Sequence, residues 1–168
     1  MKKFITVFTI AIASAYASIC DLPESLVEHC TCTDIGVTCS DSPVTEIPDY
    51  AFSQSVASKV QNIDLSGNKI SKVGSRAFYS ENPSKNPLII NLENNLLTSA
   101  SFQPDSFAGN GMAIMLKLGG NPNILVLDES VFKPFLLNGR IDSGQQNIVD
   151  MRGSPLSCSR PNLWILEN

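Results

Sequence analysis

One eight-residue pattern constrains this chain more than any other feature of its sequence. In 63–70 it reads Ile-Asp-Leu-Ser-Gly-Asn-Lys-Ile, with apolar residues at the first, third and eighth positions and asparagine at the sixth. Two further copies put at these positions Ile90, Leu92, Asn95 and Leu97, then Leu116, Leu118, Asn121 and, one residue late, Ile124. The asparagines are 27 and then 26 residues apart, and a phenylalanine follows each: Phe78, Phe107 and Phe132. We call this pattern the frame.

The frame has a direct physical interpretation. Alternating apolar residues predict a short strand with one buried face. The asparagine stands where the strand turns away, and its amide can pair with backbone groups that an irregular segment leaves open. The later phenylalanine would fill the core from the opposite, convex side. One copy alone fits an edge strand and a turn equally well, but three copies favour stacked repeats, because no repeat can bury its own apolar face.

A period of roughly 20 to 29 residues built on L-x-L-x-x-N is the signature of a leucine-rich repeat. The predicted fold is therefore an α/β-type solenoid, a horseshoe of short parallel strands. The last strand has two alternatives: 140–148, and 149–156 with Ser154 at the asparagine position. The second is favoured because it leads directly into Cys158, whereas the first would put Ser143 at a buried leucine position.

The first 17 residues are typical of a secretory signal peptide. Lys2 and Lys3 precede an apolar run that ends at Ala15, and Ala15-Tyr16-Ala17 offers small residues for cleavage. This run is too short to cross a bilayer, and no later stretch reaches the roughly 18 apolar residues that a span needs. We therefore predict a secreted, extracellular protein without a membrane span.

The charge balance excludes one class of partner. The chain carries a net charge of −4, and removal of Lys2 and Lys3 with the signal peptide would make it about −6. No basic stripe favours nucleic acid, and we predict no nucleic-acid partner.

Four of the five cysteines form a cluster, Cys20, Cys30, Cys32 and Cys39, spaced C-x9-C-x-C-x6-C. Four thiols could in principle hold zinc, but an exported protein meets an oxidising environment, and metal-binding cysteines usually come in closer pairs. Disulfides are the favoured interpretation, and spacing alone permits three connectivities. No metal is predicted.

Both ends resemble the cysteine caps of extracellular leucine-rich repeat proteins. At the N-terminus the resemblance implies the bridges Cys20–Cys32 and Cys30–Cys39. At the C-terminus, Leu156-Ser157-Cys158 with Trp164 six residues after the cysteine resembles the start of a cap, but Arg160 holds the next cysteine position. The predicted organisation is a signal peptide in 1–17, an N-terminal cap in 18–43, repeats in 44–156 and a truncated C-terminal cap in 157–168.

Cys158 is left over when the other four cysteines pair among themselves. An odd cysteine in an exported protein predicts either a free thiol or an intermolecular bridge. We predict a disulfide-linked dimer or a mixed disulfide through Cys158, and the alternative is a thiol buried against Trp164.

One stretch is more particular than a generic repeat. It is 117–134, with Asn121-Pro122-Asn123 after two glycines and a closing Val131-Phe132-Lys133-Pro134. It resembles arthropod secreted proteins similar to the non-catalytic subunit of oplophorus luciferin 2-monooxygenase. The resemblance implies a repeat-bearing partner of a catalytic chain, and it implies no light-producing activity of this chain.

The sequence offers little for catalysis. Its one histidine, His29, stands beside Cys30, and no G-x-S-x-G or H-E-x-x-H motif accompanies it. A base without a nucleophile and an orienting acid is no triad, so a solvated histidine is the favoured interpretation. We predict that the chain is not an enzyme and needs no cofactor.

The strand residues that point away from the core form the candidate binding surface. They are Asp64, Ser66, Asn91, Glu93, Asn94, Lys117, Asp150 and Arg152. This set is polar and holds no aromatic anchor, so plain solvation of a sheet face is the competing interpretation. We predict binding of an unknown protein partner, and the alternatives are a subunit of a secreted oxygenase-type complex and a structural matrix or venom component.

Overall fold

The computed structural model describes residues 22–52, 60–79, 86–109, 111–138, 146–157 and 159–166. The signal peptide, Cys20 and Cys158 lie outside these residues. The described chain is mixed α/β with a mostly parallel sheet. Its elements are α1 Glu24–Val27, β1 Thr31–Thr33, β2 Gly36–Thr38, β3 Glu46–Ile47, β4 Asn62–Asp64, β5 Lys72–Val73, β6 Leu88–Asn91, β7 Ile114–Lys117, α2 Glu129–Leu137, β8 Ile148–Asp150 and a 3-10 helix Arg160–Leu166.

The main sheet has six strands in the order β1-β2-β4-β6-β7-β8. The β1–β2 pair is an antiparallel hairpin, and every later pair is parallel. Strands that are neighbours in the sheet therefore follow one another along the chain, apart from β3 and β5. Those two form a small parallel sheet of their own, reached on the return path from β2 and β4.

The register aligns the copies of the frame. The first apolar positions lie side by side across five strands: Val37, Ile63, Ile90, Leu116 and Val149. Of the two alternatives for the last strand, β8 has the register of the second, with Val149 beside Leu116. The sheet also holds a copy that the sequence analysis placed in the cap, because β2 carries Val37 and Cys39 at the first and third positions, followed by Ser42 and Val44.

The core lies on one side of this sheet. Several of its members are phenylalanines, and Phe52, Phe78 and Phe107 form a stack with ring centroids 5.5 and 5.8 Å apart and planes within 4° of parallel. Phe132 and Phe135 of α2 pack against Phe107 at 6.1 and 5.1 Å with tilted rings. Stacked rings bury large apolar areas while each copy adds one ring to the next.

Three asparagines tie the copies together, and we call them the asparagine ladder: Asn68, Asn95 and Asn121. Asn95 is 3% exposed. Its Nδ2 donates to the carbonyl of Leu65 in the preceding copy at 2.9 Å and to that of Leu92 in its own copy at 3.2 Å. Its Oδ1 accepts from the backbone N–H of Ile70 at 2.9 Å. One side chain therefore satisfies buried groups in two consecutive copies.

The other two members of the ladder also bond to the preceding copy. Nδ2 of Asn68 reaches the carbonyl of Cys39 at 2.6 Å, and Nδ2 of Asn121 reaches that of Leu92 at 2.9 Å. Their Oδ1 atoms accept from the N–H groups of Ser42 and Leu97, both at 3.1 Å. At the end of the series Ser154 replaces asparagine, and its hydroxyl donates to the carbonyl of Leu118 at 3.0 Å.

In all five copies, the residue before the sixth position of the frame has a left-handed backbone. The φ angles are 53° at Asp41, 67° at Gly67, 56° at Asn94, 69° at Gly120 and 81° at Gly153. Glycine, asparagine and aspartate are the residues that adopt this conformation at least cost. The turn that delivers the ladder side chain into the core therefore selects these residue types.

The region predicted as the N-terminal cap contains α1 and the β1–β2 hairpin. Cys30 is bonded to Cys39, one of the two bridges that the resemblance implies, and Cys32 is disulfide-bonded as well. Cys39 is 1% exposed, so its end of the disulfide bond is buried in the core. Its partner Cys30 packs against the same core from the cap side.

Replacement of Asn95 tests the ladder. We expect Asn95→Ala to lower the free energy of unfolding by about 1–3 kcal/mol, because the buried N–H of Ile70 loses its acceptor and the carbonyl of Leu65 keeps only the donor from Asn68. The matched control is Asn123→Ala, an exposed asparagine, which should change stability by less than about 0.5 kcal/mol. Chemical denaturation measures both, and equal midpoints would contradict the role given to Asn95.

Candidate binding face

The side of the main sheet opposite the phenylalanine core is its open face. Along each strand the residues alternate between buried and half-buried, so every second side chain faces outward. The outward residues form two rows across the strands. We call Asp64, Asn91, Lys117 and Asp150 the polar row, and Ile89, Met115 and Ile148 the apolar row.

The structure brings most of the sequence-predicted residues together. The whole polar row belongs to that prediction, and the register places its four members on adjacent strands. Ser66, Glu93 and Arg152 follow two residues after three of them, at the edge where the chain leaves the sheet. Asn94 is different, since its backbone forms the left-handed turn beyond the sheet and its N–H donates to the carbonyl of Gly119 at 2.9 Å.

Three members of the polar row bond to their own backbone. Oδ1 of Asp64 accepts from the N–H of Ser66 at 3.0 Å, and Oδ1 of Asp150 accepts from that of Arg152 at 3.1 Å. Asn91 accepts from the N–H of Glu93 in the same way, at 3.1 Å. These Asx turns pair N–H groups at the strand ends. The three side chains thus shape the edge of the face as well as lining it.

Lys117 interrupts this series because an ammonium group cannot accept a hydrogen bond. The residue two positions later is Gly119, where its neighbours have Glu93 and Arg152. A Cβ atom at Gly119 would lie 3.0 Å from Oε1 of Glu93 and would also collide with the carbonyl of Arg152. The missing side chain therefore lets the Glu93 carboxylate and the chain at Arg152 approach each other.

An ion pair marks the last strand. Nε of Arg152 lies 2.9 and 3.0 Å from the two carboxylate oxygens of Asp150, and Nη2 lies 2.6 Å from Oδ2. The side-chain and backbone hydrogen bonds from Arg152 lower the pKa of Asp150 to about 2. Asp150, in turn, raises the pKa of Arg152, with a smaller contribution from Glu93. The Arg152 side chain remains 87% exposed, so the guanidinium can reach a partner.

The apolar row is what the sequence analysis missed. That analysis expected a polar surface, but Ile89 and Met115 are half-buried on this face and Ile148 is 48% exposed. A signal was present, because Leu88-Ile89-Ile90 and Ile114-Met115-Leu116 are apolar without alternation. Such runs usually indicate strands that are covered on both faces. The row ends at an open depression of about 570 Å³ formed by Met115, Ile148, Val149, Asp150, Met151 and Arg152.

The described ranges hold no comparable group of side chains for metal binding or catalysis. No three of their histidine, cysteine, aspartate and glutamate side chains come close enough to hold a metal ion. His29 is exposed after α1, at the cap. An aspartate that its arginine partner keeps ionised is a poor general acid near neutral pH. Among the same residues, no helix is long and apolar enough to cross a membrane.

No protein-family model, curated protein or solved structure matches this chain. The description of the candidate binding face therefore rests on its geometry.

The ion pair predicts a pH dependence. Because the folded-state pKa of Asp150 is depressed from 3.8 to about 2, its stabilising contribution is complete above 3.8 and is lost as the pH falls toward about 2. We expect Arg152→Ala to return the pKa toward 3.8, measured by NMR titration of the Asp150 carboxyl carbon. Arg160→Ala, which removes an exposed arginine elsewhere, is the control. An unchanged Asp150 pKa in Arg152→Ala would contradict the assignment.

Proposed function

We propose that this chain is a secreted leucine-rich repeat protein that binds another protein through its open face and has no catalytic activity of its own. The observation that carries the proposal is the apolar row beside the polar row on one sheet face. The proposed fold is the predicted solenoid, and its support is threefold. The copies of the frame pair in register, the asparagine ladder joins them, and one phenylalanine from each of the first copies enters a common stack.

The apolar row supports protein binding over plain solvation. Solvation alone gives no reason for isoleucine and methionine at three neighbouring outward positions, because water favours polar residues there. Protein interfaces commonly have an apolar centre with a polar rim, and methionine and arginine are enriched in them. Met115 lies at the centre of the row, between Ile89 and Ile148. Lys117, Asp150 and Arg152 would supply the rim.

The proposed partner is a protein with an apolar side chain at the centre of its contact surface. On the open face the charges nearly cancel, since Asp150 and Arg152 form an ion pair and the positive Lys117 stands beside the negative Asp64 and Glu93 in the same set of outward residues. The proposed source of affinity is therefore burial of the apolar row, at roughly 25 cal/mol for each Å² removed from water, rather than strong electrostatic steering.

A second candidate is the non-catalytic subunit of a secreted oxygenase-type complex, favoured by the stretch 117–134. In the structure Asn121 of this stretch belongs to the ladder, and Phe132 belongs to the core. The residues that carry the resemblance thus serve the fold, and the catalytic partner would bind the same open face. The two candidates differ in the identity of the partner rather than in the surface that it covers.

A photo-crosslinker at single positions tests the face. A benzoyl-phenylalanine placed at Met115 should cross-link one defined protein when the chain is returned to the fluid that it is secreted into. The matched position is Leu125, which is 50% exposed and lies outside the sheet. A defined cross-link at Met115 that is absent at Leu125 supports the proposal. Equal, diffuse labelling at both positions contradicts it.

Substitution gives the quantitative version of this test. Met115→Glu puts a charge in the centre of the apolar row and should weaken binding of the cross-linked partner at least about tenfold, or about 1.4 kcal/mol. Leu125→Glu introduces the same charge at an exposed leucine outside the sheet and should leave the affinity unchanged. Circular dichroism checks that both variants fold, and an unaltered affinity of the Met115 variant would overturn the proposal.

A further inference from the structure

The two edges of the main sheet differ. At one edge β1 pairs antiparallel with β2, and its residues Thr31, Cys32 and Thr33 belong to the disulfide-bonded cap. At the other edge stands β8, whose neighbour in the sheet is β7, and the described residues add no strand beyond it. An unpaired parallel strand presents main-chain donors and acceptors to any extended segment that reaches it.

The hydrogen bonds show which groups of β8 point outward. The N–H of Leu118 donates to the carbonyl of Asp150 at 2.8 Å, so the main-chain groups of Asp150 face β7. Because these groups alternate in direction along a strand, the N–H and C=O of Val149 face away from the sheet, as does the N–H of Met151. The carbonyl of Met151 is already used, since it accepts from the N–H of Ser154 at 3.0 Å.

Apolar side chains accompany this free edge. Ile148 of β8 is 48% exposed. Together with Met115, Val149 and Met151 it lines an open depression at this end of the sheet. Exposed apolar groups next to unpaired main-chain groups are a typical surface for association.

The charge at this end favours a copy of the same chain. Between 146 and 157 the charged residues are Asp150 and Arg152, a net charge of zero, whereas the whole chain carries −4. Asp150 and Arg152 also neutralise each other as an ion pair. Two identical molecules with a net negative charge would repel each other over most of their surface. The end at β8 is close to neutral and adds no such repulsion. An acidic or a basic partner would gain little from so neutral an end.

We propose that two copies of this chain associate through their β8 strands, which pair antiparallel about a two-fold axis at Val149. On that axis the N–H of each Val149 donates to the C=O of the other, forming a hydrogen-bonded pair. A two-fold axis needs only a surface that complements itself, and a strand edge with outward groups on both sides of its centre does so. The dimer does not depend on Cys158, which lies outside the described residues.

The edge is short, so the dimer is weak. Contacts limited to one strand and a few side chains fall below the roughly 1,200 Å² of standard interfaces and belong to the transient class. Association should therefore be visible at concentrations on the order of 10–100 μM rather than at nanomolar ones. The dimer pairs main-chain groups at the sheet edge, whereas a partner would cover outward side chains of the open face, so the two associations share only Ile148 and are measured separately.

Sedimentation equilibrium of the secreted chain tests the dimer. All samples carry Cys158→Ser, which removes any disulfide link. We expect twice the monomer mass at high concentration, and at least a tenfold larger dissociation constant for both Ile148→Lys and Val149→Pro. A lysine or a proline on an edge strand blocks pairing with a second strand. Leu96→Lys is the control, because Leu96 is 50% exposed outside this end and its change should have no effect.

Hydrogen exchange gives a readout that needs no substitution in β8. The backbone N–H of Val149 should exchange several-fold more slowly in the concentrated than in the dilute sample, while exposed loop amides stay unchanged. A monomer at every concentration would overturn the proposal. So would a dimer that keeps its affinity in both β8 variants, or one in which the exchange of Val149 does not depend on concentration.

Discussion

The hydrogen bonds of three buried asparagines hold this structure together. A turn at the end of each strand leaves backbone groups that no helix or neighbouring strand can pair, and burying them unpaired would cost about 1–3 kcal/mol each. Asn68, Asn95 and Asn121, exposed by 6%, 3% and 0%, meet this need with an amide that donates and accepts at once. Each links two consecutive copies, so the position of one strand determines the position of the next.

The open face follows from that arrangement. Because the ladder and the phenylalanine stack set the spacing of the copies, outward side chains fall into straight rows across the sheet. Asp64 and Asp150 are partly committed to their own turns, and Arg152 neutralises Asp150. The groups left to meet a partner are the apolar row, Lys117 and the exposed guanidinium. The described residues place no strand beyond β8, so the end of the sheet at β8 is a second, separate surface.

Much of this was predictable from sequence, and the misses have physical reasons. The period, the ladder residues and the buried phenylalanines are properties of residue type and spacing, which the sequence displays. The copy at β2 escaped notice because its third position is Cys39, read as a cap cysteine, and its ladder position is Ser42. Asn94, predicted as part of the binding surface, adopts the left-handed turn, a backbone property that it shares with glycine at the same position in other copies and that residue type alone does not reveal. The apolar row was missed because strict alternation was assumed for strands whose outward residues are also apolar.

Hydrogen exchange of the asparagine side chains tests the central claim most directly. The Nδ2 protons of Asn68, Asn95 and Asn121, seen individually by NMR, report on the proposed bonds without any substitution. We predict that they exchange as slowly as the backbone amides of the neighbouring strands, because both are released only when the copies separate. The exposed Asn123 side chain provides the reference for free exchange. Ladder protons that exchange at the rate of Asn123 would contradict the account.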